Sequence, residues 1–122
     1  MKVAREFHFD AGHYVLDAKG GPCEEPHGHT YKLRVVVEGP VGKDGMVVDF
    51  RDMKEVVSRE IMPRLDHKDL NKVFKNPTAE LIAQWIFDTL SPAFAKVRPG
   101  LLLVSVRLWE GEGKWAEVER KH

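Results

Sequence analysis

One short stretch, Cys23-Glu24-Glu25-Pro26-His27-Gly28-His29, holds more potential chemistry than any other part of this chain. Side chains alternate faces along a strand, so His27 and His29 share a face, roughly 7 Å apart along it. Two imidazoles on one face can converge on a metal ion, and imidazole suits zinc. His13 is the candidate third ligand. Cys23, the single cysteine, adds a thiol four residues ahead of the histidine pair. Two metal sites fit this set. In one, Cys23 joins the three histidines and closes a structural zinc site. In the other, three histidines leave an open position and the thiol stands free as base or nucleophile. A thiol beside a dication and a histidine is favoured as thiolate. The bland alternative is a pair of surface histidines near a buried structural cysteine. Spacing alone leaves these readings open.

The elements that would position these residues can be read from periodicity. Residues 3–9 roughly alternate, with Val3, Phe7 and Phe9 on one face and Lys2, Glu6 and His8 on the other. Carrying that parity past Ala11 puts His13 on the apolar face, provided Gly12 does not break the strand. His8 falls on the polar side as a solvated histidine. Residues 16–22, with Lys19-Gly20-Gly21-Pro22, read as a loop. A second strand is expected from His29 to about Glu38, with Tyr31, Leu33, Val35 and Val37 on the parity of His27 and His29. A short run, Met46-Val47-Val48, follows the turn at Lys43-Asp44-Gly45.

Asp49 is the expected N-cap of a helix over about 50–62, which Pro63 ends or kinks. Met53, Val56, Val57 and Ile61 should face the sheet. A polar connection, Leu65-Asp66-His67-Lys68-Asp69-Leu70-Asn71, leads to a second helix capped by Thr78. Its expected core stripe is Leu81, Ile82, Trp85, Ile86 and Leu90. A third strand over 101–110 should place Leu102, Val104, Val106 and Leu108 inward, and a fourth should cover about 114–120. The order β-β-α-α-β-β argues for an α+β layer with both helices on one face of the sheet.

Two further features stand out. Glu110 closes an apolar row, so it has either reached solvent or been set to contact something in a pocket. Asp66-His67 lies in a polar connection, where catalytic groups often sit. Adjacent residues on an extended backbone point apart, so a relay of Cys23, His67 and Asp66 must be built by the fold, across subunits if need be. Read alone, Asp66-His67 is a solvated loop pair.

The 122 residues suit one domain, 1–122, with 19 basic and 19 acidic side chains and no formal net charge. No basic excess argues for a nucleic-acid partner. No apolar run approaches a membrane span, and the charged N-terminus lacks a signal-peptide core. The expected compartment is the cytoplasm.

Taken together, the motifs resemble those of the 6-pyruvoyltetrahydropterin and 6-carboxytetrahydropterin synthase family, nearly end to end. Phe9-Asp10-Ala11-Gly12-His13 and Cys23-x-x-x-His27-Gly28-His29 resemble its two zinc motifs. Gly45-Met46-Val47-Val48-Asp49-Phe50 resembles the start of its long helix. Leu65-Asp66-His67 with Leu70-Asn71 resembles its catalytic element, and Asn76-Pro77-Thr78-Ala79-Glu80 the opening of its second helix. Trp109-Glu110 resembles its pterin anchor. The resemblance implies a tunnelling fold, a four-stranded antiparallel sheet backed by two helices, assembled as a homo-hexamer (a dimer of trimers) with active sites at subunit interfaces. It implies zinc on His13, His27 and His29, with the side-chain hydroxyls of a pterin triphosphate substrate at the open position. It makes Cys23 the general base, His67 supported by Asp66 the proton donor or second base, Glu110 the pterin clamp and Thr78 a pterin contact. The three-residue gap between Cys23 and His27 resembles the carboxytetrahydropterin synthases. These convert 7,8-dihydroneopterin triphosphate to 6-carboxy-5,6,7,8-tetrahydropterin, acetaldehyde and triphosphate, on the path to queuosine. Glu24 and Glu25 leave open a sibling activity, cleavage to 6-hydroxymethyl-dihydropterin. The motifs also leave room for 6-pyruvoyltetrahydropterin synthesis, or for a non-enzymatic, zinc-stabilised pterin-binding module.

Overall fold

The computed structural model describes the backbone at residues 1–13 and 27–121, and side chains at 1–12 and 30–121. Four strands form one antiparallel sheet in the order β1-β2-β3-β4: β1 (Lys2–His13), β2 (His27–Glu38), β3 (Leu102–Glu110) and β4 (Trp115–Glu119). Glycine at position 12 does not interrupt β1, which runs on to His13 in register with β2. Helices α1 (Phe50–Glu60), α2 (Met62–Leu65) and α3 (Ala79–Ala95) lie between β2 and β3 in sequence. The inward row of β1 and β2, with Phe9, Ala11, Tyr31, Leu33, Val35 and Val37, is buried against Met53, Val56, Val57, Ile82, Ile86, Leu90 and Phe94 of α1 and α3. This is the expected α+β layer with helices on one face.

Both caps form as the sequence indicates. Asp49 Oδ1 accepts from the Arg51 amide at 2.8 Å, and Thr78 Oγ1 accepts from the Leu81 amide at 3.2 Å. The first helix stops at Glu60, two residues short of the expected end. Pro63 then sits in the first turn of the short α2, where its missing N–H costs nothing. Met46-Val47-Val48 is not a strand, although Val47 and Val48 are buried.

Three predicted inward positions, Leu81, Leu102 and Val104, are wrong. Leu81 is 53% exposed, because α3 turns Ile82, Ala83 and Ile86 inward instead. In β3, Leu102 is 49% exposed and Leu103 is buried. The pairing with β2 shifts between Val36 and Val37, which oppose Ser105 and Leu103, so Val104 is an extra residue that reverses parity. Beyond that bulge Val106, Leu108 and Glu110 keep the predicted phase.

Candidate functional site

The backbone positions of His13, His27 and His29, with Glu110, Asp66 and His67, gather at the end of the sheet where β1 finishes and β2 begins, whereas Thr78 caps α3. The register makes His13 and His27 directly paired positions, and pairs His29 with Ala11. Their backbones continue the odd-numbered rows of Phe7 and Phe9 in β1, and of Tyr31 and Leu33 in β2. Three imidazole-bearing positions at one end of one ladder are a donor set that suits zinc. Cys23, with Glu24 and Glu25, lies outside the described residues.

The next row inward runs across three strands. Phe9 pairs with Tyr31, and Tyr31 pairs with Glu110. Phe9 and Tyr31 stack with ring centroids 4.8 Å apart and planes 8° from parallel, and Tyr31 is fully buried. Burial, reinforced by the negative charge of Glu110, pushes the Tyr31 phenol well above its ordinary value. Glu110 is only partly buried, so its carboxylate closes the row at the rim and not in the core. Successive rows on one face are about 7 Å apart, which sets Glu110 one step from the His29 position. The turn after Glu110 uses Gly111 and Gly113 at φ 70° and 76°, and the Glu110 amide donates to the Lys114 carbonyl at 3.0 Å.

The connection carrying Asp66 and His67 is anchored where the sequence pattern showed only polarity. Leu65 and Leu70 are fully buried and pin its two ends. Between them the chain lies along the free edge of β1. The His67 amide donates to the Asp10 carbonyl at 2.7 Å, the Gly12 amide donates to the Lys68 carbonyl at 3.1 Å, and Gly12 and Asp69 form a parallel bridge. The Asp10 amide donates to Asp66 Oδ1 at 3.2 Å.

The geometry corrects one expectation. Asp66 and His67 are adjacent, yet their side chains do not point apart: His67 Nδ1 lies 3.1 Å from Asp66 Oδ1. The cause is the left-handed backbone of His67, at φ 58°, the only such non-glycine residue among those described. Departures of this kind cluster at functional sites. With Nδ1 turned to the carboxylate, Nε2 is the nitrogen left to face a substrate, and the imidazole is largely exposed. Thr78 spends one oxygen lone pair on its helix cap. Its neighbour Asn76 has a buried Oδ1 that finds no hydrogen-bond partner among the described residues.

Sequence reasoning missed Asp10 and Thr30. Thr30 Oγ1 donates to Asp10 Oδ1 at 2.6 Å, from paired positions on the face away from the helices. Asp10 lies within the motif Phe9-Asp10-Ala11-Gly12-His13, which gave it a place but no role, and Thr30 at a polar-face position is not set apart by pattern from ordinary surface residues.

Comparisons with known proteins identify the family and the fold. The family model described as 6-pyruvoyl tetrahydropterin synthase matches residues 2–121. A Pyrococcus furiosus protein named dihydroneopterin monophosphate aldolase is 46% identical over 91% of this chain and 90% of its own. A 6-carboxy-5,6,7,8-tetrahydropterin synthase of Haemophilus influenzae is 36% identical over 98% of this chain and 99% of its own. The 6-pyruvoyl tetrahydropterin synthase structure of Caenorhabditis elegans superposes with a TM-score of 0.82 at 25% identity, over 99% of this chain and 96% of that one. The chain therefore belongs to the 6-pyruvoyl tetrahydropterin synthase family and is an enzyme of pterin biosynthesis, a lyase.

Proposed function

We propose that the chain is a zinc-dependent lyase that breaks the bond between the first and second side-chain carbons of a 7,8-dihydroneopterin phosphate ester. The favoured reaction takes 7,8-dihydroneopterin triphosphate and one water to 6-carboxy-5,6,7,8-tetrahydropterin, acetaldehyde and triphosphate, the water supplying the second carboxyl oxygen. The observation that carries the reading is the adjacency of the Phe9, Tyr31 and Glu110 row to the histidine rows, with Asp66-His67 bonded to the same strand. A carboxylate at Glu110 suits the two N–H groups of an amino-pyrimidinone edge. His13, His27 and His29 would hold zinc, which when bound supplies Lewis-acid acidification of the side-chain hydroxyls. Cys23 is the general base. His67 donates or accepts a proton at Nε2 while Asp66 holds Nδ1. Thr78 is a further pterin contact through its hydroxyl hydrogen.

A second reading has its own support. The 46% identical relative is named as an aldolase of dihydroneopterin monophosphate, and Glu24 and Glu25 follow Cys23 directly. With a glutamate as base, the same bond breaks but the retained carbon stays a hydroxymethyl group, giving 6-hydroxymethyl-dihydropterin and glycolaldehyde phosphate.

The proposed assembly is a cytoplasmic homo-hexamer, a dimer of trimers with active sites between subunits. It leaves no part for nucleic acid or membrane. Among the described residues no helix is long and apolar enough to cross a bilayer.

One incubation separates the two reactions. Zinc-loaded protein is given 7,8-dihydroneopterin triphosphate or monophosphate, and products are identified by mass spectrometry. Acetaldehyde with the carboxypterin supports the first reading, and the hydroxymethylpterin supports the second. A pyruvoyl product, which keeps all three side-chain carbons, defeats both.

A further inference from the structure

Asp10 makes a hydrogen bond with each of three polar groups. Its amide donates to Asp66 Oδ1, its carbonyl accepts from the His67 amide, and its carboxylate accepts from Thr30 Oγ1. The first two bonds hold the catalytic pair against the free edge of β1. Gly12 to Lys68 is the next rung of the same attachment. His13, the first of the proposed zinc ligands, follows Gly12 directly, so the pair and the metal strand are one mechanical unit through Asp10.

The third bond explains how the attachment stays intact. An aspartate carboxylate readily folds back onto neighbouring backbone N–H groups. At this position such a turn would compete with Asp66 for the Asp10 amide and bring two carboxylates together. The Thr30 hydroxyl, at 2.6 Å and so within the range of a charge-assisted bond, draws the Asp10 carboxylate across to β2. Both side chains lie in solvent, so they contribute little to the core.

We propose that the main chain at Asp10 ties the Asp66-His67 pair to the strand of the proposed metal ligands, and that Thr30 is the positioning residue that keeps the Asp10 carboxylate from breaking this tie. The assignment rests on the functional reading above only for its kinetic consequence. The tie itself is a property of the fold.

The test uses the zinc-loaded full chain and three variants, Thr30→Val, Thr30→Ser and Asp10→Ala. Amide hydrogen exchange reads the tie directly. Loss of one such bond should make the Asp10 and His67 amides exchange about tenfold faster in Thr30→Val, whereas Asp10→Ala, which keeps both main-chain bonds and has no carboxylate to fold back, should keep wild-type protection. Thr30→Ser keeps the donor and should restore protection. In the product assay, kcat should fall by a similar factor in Thr30→Val, with KM and bound zinc unchanged, and stay at the wild-type value in Thr30→Ser and Asp10→Ala. Unchanged exchange at both amides in Thr30→Val, or equally fast exchange in Asp10→Ala, overturns the proposal. So does faster exchange with kcat intact, or a rise in KM equal to the loss in kcat. If the wild-type chain cleaves no dihydroneopterin phosphate, the functional reading fails and the exchange measurement alone decides the tie.

Discussion

At the scale of single residues, His67 is where stability and chemistry are set against each other. Its left-handed backbone costs a side chain of this size on the order of 1 kcal/mol, and the buried Leu65 and Leu70 on either side hold it there. Asparagine tolerates that conformation better than histidine does. His67→Asn should therefore leave the fold as stable or more stable by up to about 1 kcal/mol, while turnover falls by roughly a hundredfold or more. Denaturant titration beside the product assay checks both halves. Cys23 poses a different question, since it is either base or fourth ligand. As base, Cys23→Ala should keep its zinc and lose most of its turnover, whereas loss of zinc with a lowered melting temperature would make the site structural. Metal analysis of the purified variant separates the two. The Asp66-His67 contact shows what one backbone angle does, because an extended chain at His67 would have sent the two side chains apart.

Among the elements, the caps were the most legible feature and the bulge the least. Asp49 and Thr78 each stand immediately before a helical run, and a side-chain oxygen there meets an amide that the helix leaves bare. Asp49 also has a pH signature. The Arg51 side chain, and then its amide, hold the Asp49 carboxyl at about 2. Its folded value lies below its unfolded one, so its stabilising effect is complete above the ordinary carboxylate range and is lost as pH falls towards 2. Asp49→Asn keeps the capping acceptor but removes this dependence. Its melting temperature should decline less steeply than wild type between about pH 4 and pH 2. The bulge at Val104 could not be seen in advance. Two alternating patterns, one either side of it, look the same as one continuous pattern until a partner strand counts the residues. Leu81 failed for a related reason: the first turn of a helix sets no phase by itself, and packing of α3 into the core buried Ile82 and Ala83 instead.

For the whole molecule, β1 and β4 are the two edges of the sheet among the described residues. Bare edges invite pairing with another chain. The face away from the helices carries a dense polar and aromatic layer there. Lys32 Nζ lies 4.0 Å from the centre of the Trp109 ring, Arg34 pairs with Glu6, and Arg107 pairs with Glu117 beside the half-exposed Trp115. If neighbouring chains share each site as proposed, Cys23 of one subunit works with Asp66 and His67 of another. Two inactive variants, Cys23→Ala and His67→Ala, co-expressed in equal amounts should then recover about a quarter of wild-type activity, because random mixing leaves that share of sites with both groups intact. No recovery would place the whole relay within one chain. Light scattering on the same sample should report six chain masses.

What the sequence determined by itself was the chemistry available: a donor set of three histidines, one thiol, an acid at the end of an apolar strand and an Asp-His pair. Strand parity also predicted that His13 would belong with His27 and His29, since a period of two survives any arrangement of the sheet that keeps its register. Only the tertiary structure decided which rows are neighbours. The β1–β2 and β2–β3 registers set Glu110 one row from His29, and the docking of the 66–69 segment on β1 brought the Asp-His pair to the same strand. These are contacts between residues dozens of positions apart. No local pattern encodes them, because they depend on which faces the core leaves for each segment to cover.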